Sequence, residues 1–254
     1  MTETHKDKCP ICHKDFVPLF LGEKNDYTLE ACRACGSAMV RPWMTDEKRE
    51  QYFGEIEPQI THTPNPDRDI ELRKKIIQRV MPNPSGKKFL DICSQNGYTV
   101  IAAKQLGMQA YGIDEHEFFV EFARSRYGEE LFENTSAKEF AETHAGEYDF
   151  IYALEAFSLQ THPDELAAAM AKLLKPGGII YIEEPDGNHW NLPGKFTVWP
   201  VVFPPINFVY LSRKGLVGLL KRHGLAVAKQ FWSWYPFSKF IVKHQKKPHA
   251  GHGA

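Results

Sequence analysis

The chain has 254 residues, 43% hydrophobic and 25% charged, with a net charge of −1. This suits one large α/β domain with a real core plus a small accessory module. No run reaches the roughly 18 charge-free apolar residues of a membrane-spanning helix, and MTETHKDKCP lacks an apolar secretory segment, so no transmembrane segment and a cytoplasmic location are expected. The charge is unevenly spread: all 32 acidic residues precede position 187, whereas residues 187–254 hold ten of the 31 basic ones. Such a segment faces either an anionic partner or the acidic remainder of its own chain.

Residues 1–42 read as a zinc ribbon. CPIC and CRAC carry Cys9, Cys12, Cys32 and Cys35, with nineteen residues between the pairs. Each Cys-x-x-Cys turn presents two thiolates, and two turns complete the tetrahedral sulfur set that Zn²⁺ accepts. In a reducing compartment this pairing points to metal rather than to disulfides. Short β-type segments are expected at 13–20 and 36–40, with Tyr27 and Leu29 leading into the second pair. Four thiolates leave no open position, so the zinc is read as structural, and His13 is left facing solvent.

Residues 43–86 read as a helical connector. An amphipathic helix is expected at 43–53, a proline-rich polar loop at 54–67, and a second helix from about 67 to 80. Leu72, Ile76 and Val80 share one face of that helix, and Met81-Pro-Asn-Pro-Ser-Gly ends it.

From residue 87 the pattern alternates strand and helix, which predicts an α/β, Rossmann-like domain over 87–245 with a parallel sheet. Strands are expected at 87–93, 109–114, 148–154 and 179–184, with helices at 98–106, 115–126 and 164–174. Lys175-Pro-Gly-Gly is expected to break the chain before the last strand. Ligands of such sheets bind at the carboxyl ends of the strands, at the switch point. Asn96-Gly97 lets backbone approach a ligand at a helix N-terminus. Asp114 ends the second strand, where a carboxylate can accept both ribose hydroxyls. This geometry alone serves NAD as well.

FLDICSQNG, GID, YDFIYALEAF, LLKPGGIIYIEEPDG and FVYLSRKGLVGLLKRHGLAV occur in the order and spacing of class I S-adenosylmethionine-dependent methyltransferases. The chain resembles that family over about residues 9–235, and in particular its bacterial members with an N-terminal zinc ribbon. The resemblance implies S-adenosylmethionine as cofactor and a sheet finished by an antiparallel hairpin at about 225–235 and 239–244. It also implies cofactor-binding roles. Asp91 would meet the methionine amino group, Gly97 would allow close backbone approach, Asp114 would take the ribose, and Leu154 would line the methionine end. Thr135 and Ser136 would flank the adenine. The family's first-strand loop carries further glycines where this chain has Cys93 and Gln95. Their Cβ atoms narrow the methionine space.

Beyond residue 186, FTVWPVVFPPINFVYL holds no charge, and its prolines forbid one continuous helix. With the second aromatic cluster, FWSWYPF, it reads as a cap, an apolar substrate pocket or a membrane-touching surface. The tail 246–254 reads as disordered. The expected activity is methyl transfer to a small-molecule acceptor, anionic or apolar in character. Glu155 and His189 are the candidate catalytic residues should the acceptor need a base. Two other readings stay open. One is a non-catalytic methyltransferase-like scaffold carrying a zinc-ribbon interaction module. The other is an RNA methyltransferase gripping nucleic acid with its basic tail, which the near-neutral charge disfavours.

Overall fold

The computed structural model describes residues 8–60, 65–192 and 194–245, apart from the side chains of 54 and 56–60. The expected tail at 246–254 lies outside the described residues. Strands β1 (Pro18–Lys24), β2 (Tyr27–Cys32) and β3 (Ala38–Arg41) form an antiparallel meander. Asn25 and Asp26, with φ of 51° and 64°, make the two-residue turn between β1 and β2. Two positive φ values match the right-handed twist of the flanking strands, and Asn and Asp tolerate them. The first strand starts later than the 13–20 segment expected.

Helix α1 (Asp46–Ile60) begins three residues later than expected, where the Thr45 hydroxyl accepts the Lys48 N–H at 3.3 Å. It then runs through much of the stretch read as a loop at 54–67. Pro58 falls in its last turn, where a missing N–H costs only one ladder bond. Helix α2 (Pro66–Val80) starts on the Asn65 side chain, which accepts the Arg68 N–H.

The large sheet has seven strands in the order β10-β11-β8-β7-β4-β5-β6. They are β4 (Lys88–Ile92), β5 (Gln109–Asp114), β6 (Phe132–Asn134), β7 (Tyr148–Leu154), β8 (Leu174–Pro185), β10 (Leu225–Phe231) and β11 (Phe237–His244). Strands β8, β7, β4, β5 and β6 are parallel, and β11 pairs antiparallel with β8 and with β10, giving the expected terminal hairpin. Lys175-Pro-Gly-Gly does not precede β8 but lies inside it. The register against β7 shifts there, and Gly177 has φ of 84°. The glycines bend the strand as a bulge instead of ending it.

Side-chain alternation divides the sheet. Phe89, Phe150, Tyr152 and Tyr181 face α2 and α3 (Tyr98–Gln105). Leu90, Ile92, Ile151, Ala153, Ile180 and Ile182 face the opposite layer, which holds α5 (Ala137–Thr143), α6 (Pro163–Leu173) and α7 (Arg213–Arg222). Helix α4 (Glu117–Tyr127) packs Val120 and Ala123 against Val100 and Phe132. The core around Leu90 and Ile151 continues into Leu29, Met39 and Val40 of the meander. A two-residue strand, β9 (Val209–Tyr210), pairs with β3 and makes the small sheet four-stranded.

Candidate functional site

The four ribbon cysteines converge. Their sulfurs all lie within 4.8 Å of one another, with Cys9–Cys35 at 3.8 Å and Cys12–Cys32 at 3.9 Å. Four thiolates about 2.3 Å from a tetrahedral zinc would be roughly 3.8 Å apart, so the cluster has the donor set and spacing of a closed structural zinc site. The hydrogen bond between Cys9 and Cys35 holds the Cys35 thiol below its ordinary value and drives that of Cys9 up. His13 is not a fifth donor but bonds Asp164, which also receives Arg222 and His223.

The ribbon is built into the rest of the chain. The Ser212 hydroxyl donates to the Cys35 carbonyl at 2.5 Å, accepts the Gly215 N–H at 2.9 Å and so caps α7. Lys214 reaches the Ala34 carbonyl, and Arg222 the Ile11 carbonyl. Part of the basic surplus after residue 186 is thus used inside the molecule.

The second centre lies where the strand order reverses, between β4 and β7. Asp91 is buried on the α2 face of β4, and burial pushes its carboxyl up to about 8 against the opposing charge of Arg73 and a hydrogen bond with Thr99. Asp114, also buried, is raised to about 6 by burial. Its two oxygens accept the N–H groups of Gln95 at 2.9 Å and His116 at 3.0 Å, and its carbonyl accepts Thr135 N–H. The carboxylate thus ties the loops after β4 and β5 together, and the backbone carbonyl of the same residue adds the loop after β6.

The loop after β4 keeps a glycine-type backbone without the glycines. Cys93 and Gln95 have φ of 61° and 44°. The Cys93 sulfur is met by the Gln160 side-chain amide at 3.9 Å. Gly97, φ 76°, is close to protein rather than open space, since a Cβ there would stand 2.6 Å from Phe132. Its requirement is helix-on-strand packing. The Ser94 hydroxyl is buried and lacks a hydrogen-bond partner among the described residues. An L-residue in the left-handed region costs about 1 kcal/mol or more. Gln95→Gly is therefore expected to raise stability by about 0.5–1 kcal/mol in a denaturant titration, net of the glycine's larger unfolded entropy. A loss of stability would mean that side-chain contacts outweigh the strain.

Arg73, eighteen residues before Asp91, was not anticipated. It projects from α2 to 3.5 Å from the Tyr152 hydroxyl, within the fields of Asp91 and Glu183. No short motif marks it; helical periodicity alone places it on the sheet side of α2. Leu154 packs in the same layer, and Glu155 follows with φ of 52°. Burial and then Glu183 push the Glu155 carboxyl up, with Arg73 opposing. Glu183 accepts the Tyr181 hydroxyl at 2.7 Å and pairs with Lys239 at 2.7 Å.

Three cavities open around these groups. One of about 360 Å³ is bounded by Glu115, Asn134, Thr135, Ser136 and Gln160. Arg49 of α1 pairs with Glu115 at 2.7 Å beside it, and the Phe53 ring packs against His116 at a tilt of 33°. A second, about 510 Å³, is walled by Trp199, Val201, Tyr235 and Phe237 over the Glu183–Lys239 pair. His189 lines a third, with Arg213, Lys214 and Trp232, and its Nδ1 accepts the Asn191 N–H. Glu155 and His189 are thus not brought together: Glu155 looks toward Glu183 and Arg73, whereas His189 belongs to the cavity beside α7.

The methyltransferase domain family matches residues 67–230. The chain belongs to that family. Its sheet, with β11 antiparallel between β8 and β10, is that of the class I S-adenosylmethionine-dependent methyltransferases. Ubiquinone biosynthesis O-methyltransferase of Thiobacillus denitrificans is 32% identical over 108 residues, 41% of this chain and 47% of that protein. The Bordetella avium protein of the same name is 28% identical over 157 residues, 60% of this chain and 59% of that one. The chain thus spans about half the length of the curated relatives it matches. Among solved folds, 1,6-didemethyltoxoflavin-N1-methyltransferase of Burkholderia thailandensis, with bound S-adenosylhomocysteine, superimposes with a TM-score of 0.61 at 11% identity, covering 90% of this chain and 99% of that one. Magnesium protoporphyrin IX methyltransferase of Synechocystis, also with S-adenosylhomocysteine, gives 0.57 at 14% identity, covering 80% and 100%. These two establish the methyltransferase fold. No helix among the described residues is long and apolar enough to cross a membrane.

Proposed function

We propose that this chain transfers the methyl group of S-adenosylmethionine to the hydroxyl of a small, largely apolar acceptor. The observation that carries the reading is the charge set at the switch point: Asp91, Arg73 and Asp114. It complements an amino acid zwitterion joined to a ribose. The buried Asp91 carboxylate gains a cationic partner in the ammonium, Arg73 an anionic one in the carboxylate, and Asp114 keeps acceptor capacity for hydroxyls beyond its two amides. Thr135 and Ser136 line the neighbouring cavity and suit the base. When bound, S-adenosylmethionine supplies a methyl group already activated on a sulfonium, so alignment is the protein's main task.

The aromatic cavity over Glu183 suits the acceptor. Trp199, Tyr235 and Phe237 would hold a flat apolar body, and the Lys239–Glu183 pair a polar substituent. Glu183 pairs with Leu154 across β7 and β8, and its carbonyl accepts the Glu155 N–H at 2.8 Å, so the cavity borders the cofactor crevice. Hydroxyl methylation releases a proton. Glu155, whose carboxyl burial raises above the ordinary range and whose N–H bonds the Glu183 carbonyl, is our candidate to take it. The O-methyltransferase names of the relatives favour a hydroxyl acceptor.

Titration calorimetry with S-adenosylhomocysteine tests the cofactor half. Binding is expected, and Asp114→Ala should weaken it at least tenfold, because hydrogen bonds to a charged group are worth about 1.5–3 kcal/mol. The variant's circular dichroism controls for the loop amides that Asp114 also holds. Absence of binding by either S-adenosylmethionine or S-adenosylhomocysteine at millimolar concentration would favour the second reading, a scaffold without catalysis. The Cys93–Gln160 contact beside the loop after β4, where the family has glycine, is the observation on that side.

A further inference from the structure

We propose that the tip of the β10–β11 hairpin is a docking surface for a lipid bilayer bearing anionic headgroups. The turn after β10 carries Trp232, Trp234 and Tyr235, which are 65%, 62% and 78% exposed, and Trp190 beside them is 63% exposed. Their rings form one cluster: Trp232–Trp234 centroids are 4.9 Å apart and Trp190–Trp234 centroids 5.5 Å. Leaving so much contiguous aromatic surface in water is unfavourable unless something covers it. Indole and phenol rings pair an apolar body with a polar edge and favour the headgroup level of membranes.

The charges around the cluster select the partner. On one flank Arg213 lines the cavity shared with Trp190 and Trp232, next to Lys214, whose ammonium is held by the Ala34 carbonyl. On the other, Arg79 lies over the Phe231 ring and lines a cavity with Trp232, Trp234 and Tyr235. The acidic groups in these walls are already engaged. Asp186 is buried and accepts the Ser238 hydroxyl, and Glu183, in the adjoining aromatic cavity, is paired with Lys239. No acidic residue occurs after Asp186. An aromatic tip with cations on both sides complements an anionic lipid surface. A second copy seated symmetrically on the same patch would set like charges against each other.

The position suggests a use. Tyr235 belongs both to the tip and to the wall of the aromatic cavity over Glu183. An acceptor dissolved in the bilayer would reach that cavity without crossing water. This step rests on the function proposed above; the docking surface itself does not.

Co-sedimentation of the intact, metal-replete chain with phosphatidylcholine vesicles, with and without phosphatidylglycerol, tests the proposal. Binding is expected only with the anionic lipid, together with a blue shift of tryptophan emission and a marked loss at high salt. Trp232→Ser combined with Trp234→Ser should weaken binding at least tenfold, and Arg79→Ser and Arg213→Ser about fivefold each. Metal content and S-adenosylhomocysteine affinity of these variants should match wild type. That separates failure of the docking surface from failure of the methyltransferase reading, which loss of cofactor binding in the wild type would reveal. No vesicle binding, or binding indifferent to both tryptophans, would overturn the proposal. So would a self-association or single-stranded RNA binding that the tryptophan variant abolishes while vesicles are ignored.

Discussion

Stripping the metal, or replacing Cys32 by Ser, is expected to lower the melting temperature by about 10 °C or more, because both the ribbon and its partner elements lose their anchor. Metal analysis should find about one zinc per chain. The size of the effect follows from where the ribbon sits. Cys9, Cys32 and Cys35 are buried in a core shared with Phe208, Val209 and Leu216. The Cys35 carbonyl receives the Ser212 hydroxyl that caps α7, and β3 pairs with β9. A closed four-thiolate site contributes folding free energy directly, and four crowded thiols without a cation must share protons. Damage should therefore spread beyond residues 1–42. Hydrogen exchange is expected to rise in β9 and at the start of α7 as well as in the ribbon. A metal-free chain with unchanged melting temperature and unchanged protection in α7 would rule out the structural zinc.

Asp91→Asn is expected to make the cofactor-free protein more stable and to weaken cofactor binding. Burial raises the Asp91 carboxyl from its ordinary 3.8 to about 8. The folded state then binds a proton that the unfolded state has released, so this group's contribution to stability falls as pH rises from about 4 to about 8 and is level above that. Each pH unit between those two values corresponds to about 1.4 kcal/mol, so the contribution at pH 7 reaches a few kcal/mol. An uncharged amide removes the penalty. The melting temperature of Asp91→Asn should exceed wild type by several degrees at about pH 7, and the gap should widen from about pH 5 to about pH 8. The ammonium of the cofactor favours the ionised carboxylate, so wild-type affinity should rise with pH toward about 8, and the variant should lose that rise. Equal melting temperatures at all pH values would show that Asp91 carries no buried charge.

Much of the core was legible because parallel strands and their helices carry strong periodic signals. The strands at 109–114 and 148–154 match β5 and β7. The weaker elements went unread for physical reasons. Strand β6 has three residues and β9 two, too few for any alternation to register. Helix α5 did leave a trace: Ser136 and Glu139 form a capping box, a Ser-x-x-Glu pattern visible in the chain. The loop expected at 54–67 gave way to α1, since a mid-helix Gly54 costs only about 1 kcal/mol and Pro58 falls in the last turn.

The sequence by itself determined the four-cysteine set, the α/β alternation and the carboxylates near the ends of β4 and β5, because spacing and period are local properties of the chain. Tertiary structure alone decided what those groups meet. It brought Arg73 beside Asp91, seated Gly97 against Phe132, and set Glu155 near Glu183 and Arg73 but His189 in the cavity beside α7. It also joined β9 to the ribbon from the far end of the chain, as Val209 pairs with Met39 and Tyr210 with Ala38. Such pairings depend on which faces remain unburied once the sheet has formed. A two-residue strand gains its partner only from a core already assembled around it.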